Sequence, residues 1–364
     1  MSEATVPTRL KPGVVTGESY GTLVEACKAG GYALPAVNTT STHTINAVLE
    51  AAATYKSDVV VQLSNGGAQF YAGRGFPDGE RARILGAVSA ARHVHMMAEH
   101  YGICVILHTD HANKKLIPWV EGMLGYGEVF FNETGMPQFS SHMLDLSEES
   151  LAFNLDTCAR MLERMAPLGM ALEIELGITG GEEDGIGSAY DDSADNSHLY
   201  TQPEEVLQAY EILDPIGMFS VAASFGNVHG VYQPGNVQLC PEILKNSQAL
   251  VQQRHQTGHN PLHLVFHGGS GSEKDKIAEA LRYGVFKMNI DTDTQFAFAH
   301  PIGQYVSAHP KAFQYQLDPE DGTPFKNVYD PRSWMRQAEL GMIKRLGEAF
   351  HDLGSAGKTL AQAG

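Results

Sequence analysis

The sequence predicts an α/β chain folded as a (β/α)8 TIM barrel with extra C-terminal helices, and three observations carry that prediction. Eight short apolar, strand-like runs alternate with longer helical patterns. Nearly every run ends in a polar residue. The chain has 364 residues and a hydrophobic fraction of 43%, enough for a substantial core at a length such barrels reach with insertions. Near-continuous apolar strands separated by helices imply a parallel sheet, and eight such units imply ring closure. The competing architecture is an open, doubly wound sheet.

Taken in order, the strands are "GYALPAVN" (31–38), "DVVVQLS" (58–64), "CVILHTD" (104–110), "FSSHMLDLS" (139–147), "MALEIELG" (170–177), "MFSVAASFG" (218–226), "LHLVFHGG" (262–269) and "VFKMNID" (285–291). Between them lie helical patterns such as "THTINAVLEAAATYK", "ERARILGAVSAARHVHMMAEHYG" and "SEESLAFNLDTCARMLERMAP". The last opens on a capping-box pattern, with Ser147 and Ser150 flanking acids expected in the first turn. From about residue 294 the tail is helical at "RSWMRQAELGMIKRLGEAFHDLG", after the turn-rich "PEDGTPFKNVYDP". No repeat or low-complexity segment divides the chain. A single barrel domain over 1–364 is expected, with a helical N-terminal extension to about residue 30 and a helical arm over about 294–364.

With Lys+Arg at 25 and Asp+Glu at 42, the net charge is −17. That acidity disfavours nucleic acid and anionic membranes as partners but leaves room for an anionic small substrate in a locally basic pocket. Cys27, Cys104, Cys158 and Cys240 are widely spaced, with no CxxC pair. They read as reduced thiols of a cytoplasmic protein. "MSEATVPTRLKPG" contains no apolar signal region, and no run approaches the roughly 18 apolar residues of a membrane span.

The polar strand ends are Asn38, Ser64, Asp110, His111, Asp145, Glu175, His267, Asn289 and Asp291, with His229 shortly after the sixth strand. In a barrel these converge on the face where active sites form. Successive strand side chains point to opposite faces, so Asp110 and His111 share a mouth only if the strand ends between them. His111, His229 and His267 come from three strand ends, and three imidazoles with one open position suit a catalytic zinc. "VFHGGSGS" places Gly268, Gly269 and Ser270 in a turn before a helix, a nest for phosphate. "MNIDTDT" follows the eighth strand, and loops after strands seven and eight are where barrels bind phosphate. The long acidic loop 176–197 is suited to closing over a ligand and delivering Glu182 or Glu183 as a base.

The stretches "HTDHANKK", "FSSHMLDLSEES", "LEIELGITGGEEDG", "YTQPEEV", "ASFGNVHGVYQPGNV", "FHGGSGS", "KMNIDTDTQ" and "YDPRSW" closely resemble the class II fructose-1,6-bisphosphate aldolases, in the longer, dimeric subgroup of bacteria and fungi. The resemblance runs from about Tyr32 to Trp334. It implies reversible aldol cleavage of fructose 1,6-bisphosphate in glycolysis and gluconeogenesis, with Zn²⁺ as electron sink on His111, His229 and His267. Asp110 then matches the acid/base at the hydroxyl of the aldehyde half. Glu183, with Glu182 as competitor, matches the base at the dihydroxyacetone phosphate carbon. Asp145 and Glu175 match positions that bind a second metal or offer the zinc an alternative place, or else groups that orient a ligand histidine. Gly230, Gly268, Gly269, Ser270, Asn289, Ile290, Asp291 and Thr292 match the dihydroxyacetone phosphate site. Ser64 matches the glyceraldehyde 3-phosphate end, with Asn38, Lys326 and Arg332, the last reaching across a homodimer interface. A monovalent cation (K⁺ or Na⁺) near Gly230 and Gly268 is also implied.

Rival readings are a tagatose-bisphosphate aldolase, a zinc hydrolase with Asp110 as base, a Schiff-base aldolase using Lys287, and a non-catalytic scaffold. Two phosphate loops and a loop glutamate have no role in a hydrolase. Period-2 spacing from Asn289 puts Lys287 on the inner face, which is what the Schiff-base reading needs.

Overall fold

The structure, a computed structural model, describes residues 9–177, 180–183, 186–188, 200–229, 239–269 and 272–362; for 180–183, 186–188 and 228–229 it describes the backbone only. Eight parallel strands close a ring in chain order: Leu34–Asn38, Val59–Leu63, Cys104–Ala112, Ser141–Leu144, Ala171–Leu176, Phe219–Ala223, Leu264–Phe266 and Val285–Asn289. The eighth pairs with the first, as Met288 with Pro35, so the ring of eight is closed; the short strand Gly13–Val14 adds alongside Cys104–Val105. All eight sequence-predicted strands are present, and the barrel rather than the open sheet is the fold.

Helices connect the strands, among them Thr42–Tyr55, Gly79–Tyr101, Ile117–Thr134 and Leu151–Met165. Alternation on each strand sorts the core into two shells. Val37, Val59, Val61, Leu63, Val105 and Leu107 pack outward against the helices. Leu34, Ala36, Val60, Cys104, Ile106 and Ala171 belong to the inner cluster. Each fully buried aliphatic side chain contributes roughly 1.5–3 kcal/mol relative to exposure. The inner cluster also takes in Tyr20, Leu23, Val24 and Cys27 from the helix Gly17–Gly30, which closes the barrel at the N-terminal ends of its strands. That leaves the opposite mouth for ligand.

The third helical pattern starts later than "SEES" suggests. The helix is Leu151–Met165, and Ser150 caps it by accepting from the Phe153 N–H at 3.3 Å. The two glutamates precede the cap, because one serine suffices to satisfy the first free N–H groups. Beyond the second strand, Asn65–Ala72 packs on Gly79–Tyr101 at Gly86, where any Cβ would run into the Ala68 carbonyl. That close approach fixes the short helix whose cap is Ser64. The tail is helical as expected, over Thr292–Ala308 and Pro331–Asp352, and the second of these packs on both the first and on Thr42–Tyr55. None of the described helices is long and apolar enough to cross a membrane.

Candidate metal centre and active site

The third strand resolves the problem posed by adjacent Asp110 and His111. Its register to the fourth strand shifts: Thr109 faces His142, but Ala112 faces Leu144, so three steps on one strand match two on the other. Within this bulge His111 takes a left-handed φ of 42°. The strand bends there, and the carboxylate and imidazole turn toward one mouth instead of opposite faces. A left-handed non-glycine residue costs about 1–2 kcal/mol, which the surrounding contacts must offset. The His111 N–H lies 3.4 Å from the Met143 sulfur.

Asp110 is 1% exposed and held at both oxygens. Gln62 Nε2 donates to one at 2.9 Å and Asn289 Nδ2 to the other at 3.2 Å. Side chains from the second and eighth strands thus fix its orientation.

His267, immediately after the seventh strand, completes the geometry. Its Nε2 lies 2.8 Å from Glu173 Oε1, and its Nδ1 lies 2.9 Å from His111 Nε2. His111 Nδ1 is 3.2 Å from Asp145 Oδ2. A carboxylate only accepts, so the hydrogen-bond network assigns an N–H to His267 Nε2 and to His111 Nδ1. The remaining lone pairs, on His267 Nδ1 and His111 Nε2, then face one another. Two acceptors at that distance require a cation or an extra proton, and an imidazole pair backed by carboxylates suits a divalent metal. Glu175 Oε2 stands 3.6 Å from His111 Nδ1 and 4.0 Å from His267 Nδ1. Asp110, His111 and His267 can share one ion, as can His111, Asp145 and Glu175. The residues therefore fit the metal that the sequence implies.

Burial by itself would raise the Asp145 carboxyl, but the His111 ring and the Ser147 hydroxyl at 2.7 Å hold it below its ordinary range. Glu173 is buried too, and the Lys287 ammonium, with His108 and His267, outweighs that burial and keeps it ionised. Lys287 Nζ reaches both Glu173 oxygens, at 3.0 and 2.9 Å. A Schiff base needs a neutral, reachable amine. A Lys287 that is 2% exposed and clamped as an ion pair is neither, which disfavours that rival.

Above the centre, a cleft of about 650 Å³ runs along Asn38, Ser64, Asp291 and Phe298. A second, of about 340 Å³, adjoins it at Ser64 and reaches Asp110, His111, Arg83 and Lys115. Ser64 caps its helix by accepting from Gly67 N–H at 3.1 Å, and Ser41 caps Thr42–Tyr55 from the same wall. Two helix N-termini thus face the cleft, favourable ground for an anion. Gly268 has φ 60°, and Gly269 N–H donates to the Asn289 carbonyl. Ile290 is buried, its N–H donating to the Ala36 carbonyl; Asp291 accepts from Gln295; Thr292 opens the following helix.

Lys326 and Arg332 are not brought to the cleft of this chain. Arg332 forks onto Asp330 at 3.0 and 2.7 Å, with its side chain 89% exposed. Gly230 and Ser270 lie outside the described residues, as do the side chains of His229, Glu182 and Glu183. Of the acidic segment, the described backbone at 180–183 pairs antiparallel with 186–188, and His229 pairs alongside Gly181. The Asp184–Gly185 dipeptide is the hairpin signal in the sequence. Sequence reasoning also missed Gln62, His108 and Glu173. Each lies two residues upstream of a named rim residue, on the same strand face.

Three comparisons bear on this geometry. The family model for "Fructose-bisphosphate aldolase class-II" matches residues 18–358. A fructose-bisphosphate aldolase class 2 of Escherichia coli (strain K12) is 54% identical over 351 residues, covering 94% of this chain and 96% of that protein. A crystal structure of fructose-bisphosphate aldolase from Campylobacter jejuni superposes with a TM-score of 0.87 at 52% identity, over 96% of this chain and 98% of that one.

Proposed function

The chain belongs to the class-II fructose-bisphosphate aldolase family, and from that membership and the rim geometry we infer how it carries out the reversible, metal-dependent aldol cleavage of fructose 1,6-bisphosphate. The products are dihydroxyacetone phosphate and glyceraldehyde 3-phosphate. The observation that carries the assignment of roles is the 2.9 Å approach of His111 Nε2 and His267 Nδ1, each ring backed by a carboxylate on its other nitrogen, beside a fixed Asp110.

His111, His267 and His229 would hold the ion, which we assign as Zn²⁺. Bound there, it supplies a Lewis acid for the ketone oxygen, contributing several kcal/mol of charge stabilisation. Asp110 takes the proton from the hydroxyl of the aldehyde half as the C–C bond breaks, and the bonding pair passes to the ketone half. Glu183, with Glu182 beside it on the hairpin next to His229, returns a proton to the carbon that received the pair. Asp145 orients His111, and Glu175, near both rings, offers the ion an alternative or second position. Asp291, Thr292, Ile290 and the Gly268–Gly269–Ser270 turn, with Gly230 and Asn289, receive the dihydroxyacetone phosphate half, where a monovalent cation near the Gly230 and Gly268 backbone helps neutralise it. Asn38 and Ser64 receive the other phosphate.

We assign Lys326 and Arg332 to a partner's cleft in a homodimer acting in the cytoplasm. Their exposure supports this, as do Phe296, Tyr315, Leu317 and Leu340, all exposed on the C-terminal arm. Each of the four would be covered if this arm met a second copy of the chain.

A coupled assay of fructose 1,6-bisphosphate cleavage tests the account. A strong chelator abolishes turnover and added Zn²⁺ restores it, while borohydride with substrate leaves the protein mass unchanged. Full activity in chelator, or a trapped adduct on Lys287, would overturn it.

A further inference from the structure

Directly beneath the rim, the barrel interior carries a polar layer, of which only Gln62, through Asp110, enters the reaction as described. Gln62, His108, Glu173 and Lys287 lie two residues upstream of Ser64, Asp110, Glu175 and Asn289. One layer further down, the same strand faces carry Val60, Ile106 and Ala171, so apolar filling is available to this barrel. Glu173 and Lys287 are each 2% exposed and paired through both carboxylate oxygens. Glu173 Oε1 also meets His267 Nε2 at 2.8 Å, and Oε2 lies 3.5 Å from His108 Nε2. His108 is itself held by Ser141 at 2.7 Å. A buried ion pair is weak evidence for stability, because well-packed apolar residues of similar volume often serve as well or better. Its value here lies in what it touches.

We propose that Glu173 and Lys287 are a positioning pair for the metal centre: Glu173 fixes the ring and tautomer of His267 so that Nδ1 faces the ion, and Lys287 fixes Glu173. Free imidazole exchanges its N–H between two nitrogens and can flip about its ring axis. The Glu173 carboxylate admits one arrangement, with the proton on Nε2 and the lone pair on Nδ1. Lys287 holds both oxygens of that carboxylate in place, so Glu173 cannot rotate away from the ring. The proposal rests on His267 being a metal ligand, as assigned above.

The test uses purified full-length chain, Zn²⁺ titrated against a chromophoric chelator, the visible absorption of Co²⁺-loaded protein, and the thermal midpoint of each metal-free form. Glu173→Gln presents one amide oxygen to both His267 and Lys287. It should bind Zn²⁺ about 10–100-fold more weakly and shift the Co²⁺ band. Glu173→Gln with Lys287→Met removes the buried charges together. It should recover the wild-type midpoint yet keep the weakened Zn²⁺ binding. Wild-type affinity in either variant overturns the proposal, as does a double variant that regains affinity and midpoint together, which would make the pair purely structural. His267→Ala separates the two levels. If it retains the ion, the metal assignment itself fails; if it loses the ion while Glu173→Gln does not, only the positioning pair fails.

Discussion

Replacing Asp110 with alanine lowers kcat by about 10²–10⁴-fold while metal content stays at the wild-type level and KM moves little. The carboxylate sits within reach of the ion's ligands, but its two oxygens accept from Gln62 and Asn289. The role proposed for it is therefore to stand ready for a proton at a fixed place, and retained metal in the variant is what distinguishes that role from a ligand's. Loss of an interaction made only in the transition state lowers kcat and kcat/KM together, and that split separates a proton carrier from a ligand. Removing the carboxylate also strands two buried amide donors. Each unsatisfied buried group costs about 1–3 kcal/mol, so the variant melts earlier than wild type. Activity measured well below its midpoint keeps the two effects apart.

The second large effect is at the neighbouring residue. His111→Ala loses Zn²⁺ and activity together, because the ring supplies one of the two nitrogens that face each other and also engages Asp145. A comparison with His111→Gly refines this. At φ 42° alanine keeps the left-handed strain while glycine does not. Both variants are inactive and metal-free, yet the glycine form unfolds at higher denaturant, by roughly 1 kcal/mol. Equal stability of the two would mean that the bulge relaxes once the imidazole is gone. Metal analysis and urea unfolding of the two proteins measure it.

Much of this architecture is legible in the sequence. The eight strands are apolar on both faces because helices cover one and the barrel interior the other, and that pattern survives without any structure. Asn38, Ser64, Asp110 and His267 are polar where the chain would otherwise stay apolar, and they do meet at one rim. The left-handed turn at His111 has no such signature, since the residue that adopts it is not glycine; it becomes visible only through the register of the fourth strand. The buried layer of Gln62, His108, Glu173 and Lys287 was within reach of period-2 reasoning from the rim, but inside an apolar-looking strand a single polar residue gives no hint of its partner across the barrel. The antiparallel pairing of 180–183 with 186–188 has a local signal in Asp184–Gly185, whereas the pairing of 180–181 with the distant 228–229 is a long-range contact that local propensity does not encode. Lys326 and Arg332 face solvent in a single chain, so the role proposed for them would be legible only with a second molecule in place.

The central claim is that one divalent ion bridges His111 and His267 above an oriented Asp110. Crystals of the Zn²⁺-loaded protein, with anomalous diffraction recorded on either side of the zinc absorption edge, locate the ion directly. The account predicts a single strong peak at about 2.0–2.1 Å from His111 Nε2 and His267 Nδ1, with a third nitrogen from His229. A peak confined to Asp145 and Glu175, or no peak in fully active protein, would contradict it.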